Sequence, residues 1–191
     1  MLSLETIIRY RRIVKPENFT GEKTIPDSVI RELIELAGWA PTHGYTEPGY
    51  FVVFAGENVR KFCRDHAEMY RLNTPPDRFT AAAYEKLDRM GNTTSHIITL
   101  CMKRGDIPKI PEQEELISAA CGAQNILLVA AARGIAVYWG TGGMTYHPAM
   151  RDYLGLSPED RVLGFLYLGF AEGSFAKGRR LKPQEEKIKW V

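Results

Sequence analysis

Residues able to bind an anion stand in pairs near both ends of the chain. Arg11 and Arg12 close the first helical pattern, and Arg179 and Arg180 lie in the C-terminal tail. A guanidinium group is a planar fork that donates paired hydrogen bonds to a phosphate. Each pair also has a simpler interpretation, because basic residues complement the dipole at the end of a helix and basic tails are usually solvated. Neither pair identifies a site by itself.

Two loops have the composition to contact a flat polar ring. The segment Ala40–Gly49 (APTHGYTEPG) has two prolines and two glycines, and it displays His43 among other hydrogen-bonding side chains. The segment Trp139–Gly143 (WGTGG) follows a predicted strand, and its glycines let the backbone approach a ligand closely. It has neither the Lys-Ser/Thr of a P-loop nor the third glycine of a dinucleotide fingerprint. An exposed loop histidine and a strand-ending turn are the simpler alternatives.

The hydrophobic pattern predicts the elements that carry these residues. Helices are predicted over Ser3–Tyr10, from Pro26 to before Pro41, and over Asn58–Leu72, Asp77–Met90, Glu112–Arg133 and a short stretch opened by Pro148. Strands are predicted over Tyr50–Ala55, His96–Met102, Ile135–Trp139 and Val162–Phe170. This order favours a layered α/β or α+β protein with a sheet of about four strands between helices. The length of 191 residues predicts one domain, residues 1–191.

Composition excludes several classes of protein. Lys and Arg total 25 and Asp and Glu total 23, so the net charge of +2 gives no whole-chain signal for nucleic acid or an anionic membrane. The charge is uneven, however, because residues 1–15 and 172–191 each carry +3 and the remainder carries −4. Three cysteines, an odd number without a close pair, make a disulfide framework improbable and fit a reducing cytoplasm. Cys63 and His66 stand three residues apart on a predicted helix, but no second pair has zinc-site spacing, so no metal site is expected. No secretory signal and no membrane-spanning apolar stretch are expected.

Taken together and in order, these motifs resemble the nitroreductase family of FMN flavoproteins, in particular a compact bacterial branch of NAD(P)H nitroreductases. An Arg-Arg pair ends the first helix, and the Pro41–Pro48 loop leads into a Tyr-Phe-Val-Val strand. A long alanine-rich helix ends in Ala-Ala-Arg-Gly before Trp139, and Gly164–Phe170 matches the glycine-bounded last core strand. The resemblance covers about Leu4 to Phe170.

The resemblance implies an α+β, three-layer fold with a central, mostly antiparallel sheet flanked by helices. It further implies a homodimer with one FMN at each subunit interface and a C-terminal tail that extends onto the partner subunit. The residues implied to contact FMN are Arg11, Arg12, Ile13, Trp39, His43, Trp139, Gly140, Thr141, Gly142, Arg179 and Arg180. Ile13 replaces the usual serine of the family. Glu47 and Gly49 stand where relatives often have glutamine and tryptophan.

The implied activity is hydride transfer from NAD(P)H to the flavin, followed by reduction of a nitroaromatic or quinone-like acceptor at the same place, in a ping-pong cycle. No side chain is required as a nucleophile. Arg11 or Arg12 would stabilise the reduced flavin, and His43 or Thr42 would hold the substrate or relay a proton. Two alternatives remain at this point: a flavin-binding storage or sensor protein without turnover, and a nucleic-acid module that uses the two basic ends.

Overall fold

The computed structural model describes residues 3–173 and 178–191; Lys177 of the basic tail lies outside them. The helices are α1 (Leu4–Tyr10), α2 (Asp27–Ala37), α3 (Glu57–Asn73), α4 (Ala81–Arg89), α5 (Glu112–Ala132) and α6 (Pro148–Tyr153). The strands are β1 (Gly49–Ala55), β2 (His96–Met102), β3 (Ala136–Gly140) and β4 (Arg161–Gly169), and 3-10 turns cover Pro16–Asn18 and Glu185–Lys187. The predicted order of helices and strands is confirmed over the described residues.

The four strands form one antiparallel sheet in the order β1-β2-β4-β3. One row of paired residues crosses it from Val52 through Thr99 and Phe165 to Gly140. Strands β1 and β3 are therefore the two edges, separated by three inter-strand spacings, or roughly 14 Å. Segments next to β1 and segments next to β3 therefore lie at opposite edges of the sheet.

Helices cover both faces of the sheet and make three layers. Helices α2 and α5 contribute to one apolar cluster, and α3, α6 and Met90, the residue after α4, contribute to the other. Every residue of β2 is buried, because this strand is internal and has helices on both faces. That position explains the uninterrupted sequence HIITLCM, since a strand covered on both faces does not alternate apolar with polar residues.

Helix α4 begins later than predicted, at Ala81 instead of Asp77. Two successive prolines, Pro75 and Pro76, are followed by a turn, and Thr80 then provides the N-cap. The hydroxyl of Thr80 accepts the Ala83 N–H at 3.3 Å. A threonine that satisfies a free N–H of the first turn is a preferred start for a helix.

The glycine that interrupts the last strand marks a bulge. Gly164 pairs with Leu100 and Val162 pairs with Cys101, so Leu163 is the extra residue. Gly164 has φ +143°, and a Cβ there would collide with the indole of Trp139. The missing side chain therefore allows the tryptophan of β3 to pack on β4.

Helix α5 shows that the expectation of no sufficiently apolar segment is wrong. The helix has 21 residues and a mean hydropathy of 1.5 over an 18-residue window, which is enough by length and composition to cross a membrane. Leucine, isoleucine and valine produce most of that value, and the alanines allow close packing, since α5 packs against α2 and the sheet and 44% of the window is buried. Its first turn carries Glu112, Glu114 and Glu115. These contacts identify α5 as a helix of the core.

Candidate functional site

The end of α1 and the C-terminal tail meet at the outer edge of β3. The Val14 N–H donates to the Val137 C=O at 3.1 Å, so the residues after α1 run beside this edge. In the tail, Gly178 lies directly against the guanidinium of Arg12, where a Cβ would find no space. The two basic ends predicted from sequence to share a function are thus brought together within one chain.

Arg11 is the central cation of this region. Its Nη1 atom is buried and has no hydrogen-bond partner among the described residues. Burial lowers the pKa of Arg11, and the positive charges of Arg12 and Arg180 lower it further. A buried donor without an acceptor is costly, and neighbouring cations add to that cost. The arrangement therefore favours a bound anion.

Arg12 plays a different part. Its Nη1 donates to the carbonyl oxygens of Arg9 at 2.9 Å and Arg11 at 2.6 Å. It therefore caps the C-terminal end of α1, which was the simpler interpretation of a basic residue at this position. Its charge still faces the tail at Gly178. Ile13, Arg179 and Arg180 are exposed.

The backbone of Trp139 is the part of this residue that is open at the sheet edge. Because the Val137 carbonyl points outward to Val14, the alternation along β3 directs the N–H and C=O of Trp139 outward as well. The indole Nε1, in contrast, donates to the Leu163 carbonyl at 3.3 Å. Thr141 and Gly142, just beyond the strand, are exposed, whereas Gly140 is buried.

His66 on α3 contacts the loop Gly140–Gly143, which we call the glycine segment. Its Nε2 accepts the Met144 N–H at 2.9 Å, and Gly143, at φ +63°, lies so close to the ring that a Cβ would not fit. Burial lowers the pKa of His66 to about 4, so the ring is neutral at pH 7. With Nε2 as acceptor, the proton sits on Nδ1. The sequence prediction missed this residue as a site residue.

A cleft opens between the residues that follow α1 and helix α4. We call it the outer cleft; its volume is about 460 Å³, and Lys15, Glu17, Lys86, Met90 and Tyr138 are among its lining residues. It adjoins the Arg11–Val14 segment and the edge strand β3. A planar ligand with an anionic group could place its ring here and its charge near Arg11.

Trp39 and His43 lie elsewhere in the subunit. Both precede β1, at the opposite edge of the sheet from β3. Trp39 is 77% exposed, and its Nε1 donates to Glu35 at 2.7 Å. His43 Nδ1 lies 2.5 Å from a carboxylate oxygen of Glu114. The structure therefore does not bring these two side chains into the site formed by Arg11 and the glycine segment of the same chain.

The fold and the site define an α+β protein with a cleft at a sheet edge beside a group of arginines, and the family follows from comparison. The family model described as "Nitroreductase family" matches residues 8–170, so the chain belongs to the nitroreductase family. The "Putative NAD(P)H nitroreductase YdjA" of Escherichia coli K12 is 28% identical over 172 residues and 88% of each chain. The "Putative NAD(P)H nitroreductase YfhC" of Bacillus subtilis is 24% identical over 88% of this chain and 84% of its own.

Solved structures agree with this assignment. A nitroreductase-like family protein from Bacillus cereus has a TM-score of 0.85 and 28% identity, with 100% of this chain and 97% of that chain covered. A structure described as a "putative nitroreductase in complex with fmn" from Desulfovibrio desulfuricans has the same fold, with a TM-score of 0.75, 21% identity and coverage of 100% and 98%. The predicted family and the predicted three-layer α+β fold with an antiparallel sheet are confirmed.

Proposed function

We propose that this protein is an FMN-dependent NAD(P)H oxidoreductase that reduces nitroaromatic or quinone-like acceptors. The Nη1 atom of Arg11, which is buried among other cations and has no partner in the described part of the chain, carries the proposal, because it needs an anion such as the FMN phosphate. The names of the Escherichia coli and Bacillus subtilis relatives support the nicotinamide cosubstrate. The FMN complex of the structural neighbour from Desulfovibrio desulfuricans supports the cofactor.

The residues of this chain fit FMN in three places. Arg11 would donate to the phosphate, with Arg12 and Arg180 adding positive charge. The outer cleft would take the planar ring, with Lys15 on its wall. The outward N–H and C=O of Trp139 would meet the polar edge of the ring, because a strand edge offers a donor and an acceptor side by side. Ile13 has no side-chain hydrogen bond to offer.

When bound, FMN would supply the redox chemistry by taking a hydride from NAD(P)H and passing electrons to the acceptor in alternate, ping-pong turns. The protein would bind, orient and stabilise. Arg11, with Arg12 and Arg180 near it, supplies the positive potential that favours an anion beside the cleft, whereas Lys15 is paired with Glu17. His66 holds the glycine segment at a fixed distance through Met144 and stays neutral, so it adds no charge of its own.

We further propose a cytoplasmic homodimer in which Trp39 and His43 act at the partner's cofactor. Both side chains are exposed, and the sheet separates them from their own chain's Arg11 site. Helix α1 also exposes Leu4 and Ile8, which a partner subunit would cover. The tail, with Arg179 and Arg180, would extend onto the partner after passing Arg12. Dimerisation would then complete two sites at once.

The test is flavin content followed by reduction. The purified protein should be yellow with about one FMN per subunit, and NADH or NADPH should bleach the flavin under anaerobic conditions. Addition of a nitroaromatic or quinone should restore the colour. Yellow protein that neither nucleotide bleaches would indicate flavin storage or sensing instead. Colourless protein that takes up no added FMN would refute the proposal.

A further inference from the structure

An imidazole and a carboxylate form a close pair where the loop before β1 meets helix α5. His43 Nδ1, in the loop Ala40–Gly49, lies 2.5 Å from a carboxylate oxygen of Glu114, in the first turn of α5. A carboxylate can only accept a hydrogen bond, so Nδ1 carries a hydrogen. The other ring nitrogen, Nε2, has no hydrogen bond within the described residues, and the His43 side chain is 60% exposed. Nε2 is therefore the nitrogen that is left to meet another molecule.

The first turn of α5 holds Glu114 in place through its neighbour. Glu115 is buried, forms an ion pair with Arg104 and accepts the Gly105 N–H at 3.0 Å. These contacts fix the start of the helix. Successive helical residues point in directions about 100° apart, so Glu114 turns away from these contacts, and its side chain is partly exposed. The helix thus offers the Glu114 carboxylate from a fixed position to a group at the surface.

The loop that carries His43 is also tightly held. Gly44 has φ +60°, and a Cβ there would collide with the side chain of Ile110. Tyr45 and Glu47 have positive φ values of +56° and +43°, which are unfavourable for residues with a side chain. Backbone strain of this kind persists only where the surroundings impose it, and it is frequent at functional sites. The loop therefore presents the His43 ring in a defined position.

We propose that Glu114 is a positioning residue for His43 and that the two side chains act as a proton-donating pair at the partner's cofactor. This inference rests on the proposed function, in which His43 acts at that cofactor. Reduction of a quinone to a hydroquinone takes two electrons and two protons. A hydride brings both electrons and one proton, so the second proton has to come from another group.

Protonated His43 would give this second proton from Nε2 to a quinone oxygen. The Nε2–H bond breaks, an O–H bond forms, and the imidazole is left neutral. Its remaining hydrogen is on Nδ1, where Glu114 already binds it, so water can return a proton to Nε2 without any movement of the ring. Without Glu114 the neutral ring could carry its hydrogen on either nitrogen. Glu114 would thus fix which nitrogen exchanges the proton.

Nitrogen-15 NMR of the FMN-loaded protein tests the positioning role, with the His43 signals assigned by their loss in His43→Gln. In the neutral ring of the wild type the hydrogen should be mainly on Nδ1. Glu114→Leu should lower the ratio of the Nδ1–H form to the Nε2–H form about two- to tenfold. Glu114→Gln, whose amide oxygen still accepts, should keep most of the ratio, and Gln113→Leu, at an exposed position of the same turn, should not change it. An unchanged ratio in Glu114→Leu would overturn the inference.

Stopped-flow reoxidation of the dithionite-reduced, FMN-loaded protein tests the proton transfer. A 1,4-benzoquinone needs the second proton, whereas ferricyanide takes up an electron and no proton. Glu114→Leu should slow reoxidation by the quinone about tenfold, His43→Gln should slow it about 100-fold, and both should leave the ferricyanide rate unchanged. In the His43→Gln background, Glu114→Leu should have no further effect. Equal slowing with both oxidants, or an effect of Glu114→Leu that persists without His43, would show that Glu114 does not act through His43.

Failure of the inference can be told from failure of the proposed function. Flavin content, bleaching by NAD(P)H and the sedimentation of each variant are recorded on the same samples. A yellow, reducible dimer in which Glu114→Leu changes neither the tautomer ratio nor the quinone rate would overturn the inference alone. Absence of FMN would contradict the proposed function and the proton transfer with it, and the tautomer ratio would still decide whether Glu114 positions His43.

Discussion

Replacing Arg11 by methionine should have opposite effects on the FMN-free protein and on FMN binding. Methionine keeps a long unbranched chain and removes the charge and the unpartnered Nη1. An unsatisfied buried donor costs about 1–3 kcal/mol. Because the guanidinium is only partly buried, we discount this to a gain of about 1 kcal/mol in the free energy of unfolding of the FMN-free protein.

The same substitution removes a charge-assisted contact to the phosphate. Such a contact contributes about 1.5–3 kcal/mol, so the Kd for FMN should rise roughly 10- to 150-fold. Urea denaturation of the FMN-free protein gives the first quantity, and quenching of FMN fluorescence gives the second. Arg9→Met is the matched control, because Arg9 is an exposed arginine of the same helix. An Arg11→Met protein that is less stable than the wild type and binds FMN equally well would refute the assignment.

Two further predictions concern positions around the glycine segment. In the folded protein the pKa of His66 is lowered to about 4 from 6.5, so the unfolded chain binds more protons between these two pH values. The free energy of unfolding should therefore be highest above pH 6.5 and should fall by about 3 kcal/mol as the pH drops to 4. Urea denaturation at several pH values measures this loss of stability. The loss should disappear in His66→Gln and remain in the control His43→Gln. If the free energy of unfolding of His66→Gln and of the wild type changes with pH in the same way, the prediction is contradicted. Gly164→Ala adds both a left-handed strain and a clash with Trp139 and should cost about 2–5 kcal/mol, whereas Gly155→Ala, at φ +68° with open space, should cost about 1 kcal/mol. Equal melting temperatures for the two glycine variants would show that the bulge tolerates a side chain.

The order of elements was predictable because it depends on local periodicity. The apolar run of β2 and the glycine that ends α5 are visible in the sequence and are placed as expected. The first residue of α4 was not predicted correctly, because a helix that follows two prolines and a capping threonine can start at several positions. The apolar character of α5 was underestimated, because its aliphatic residues stand in two groups, Leu116–Ile117 and Ile126–Val129, separated by small residues and by Gln124 and Asn125.

The sequence indicated which residues are candidates for the site but not how their side chains are arranged. Arg11 and Arg12 are adjacent and identical in type, yet the Arg12 side chain folds back on the helix end, whereas Arg11 keeps a buried nitrogen that no described residue pairs with. That difference depends on side-chain torsions and on neighbours far along the chain. His66 was overlooked because a lone histidine among apolar residues usually belongs to the core, and it does. The periodicity of α3, which places it with Phe62 and Cys63 on the buried face, was the only available signal.

The uneven charge of the sequence has a structural consequence. A net charge of +2 predicts nothing about ligands, but the fold places charges from its two basic ends around one partly buried guanidinium. Like charges repel most where water is excluded, so this grouping opposes folding of the FMN-free chain. Such a cost is expected where a bound anion repays it, because a ligand that binds only the folded state adds its binding energy to stability. The residue that most weakens the free protein should therefore be the one that holds the cofactor most tightly.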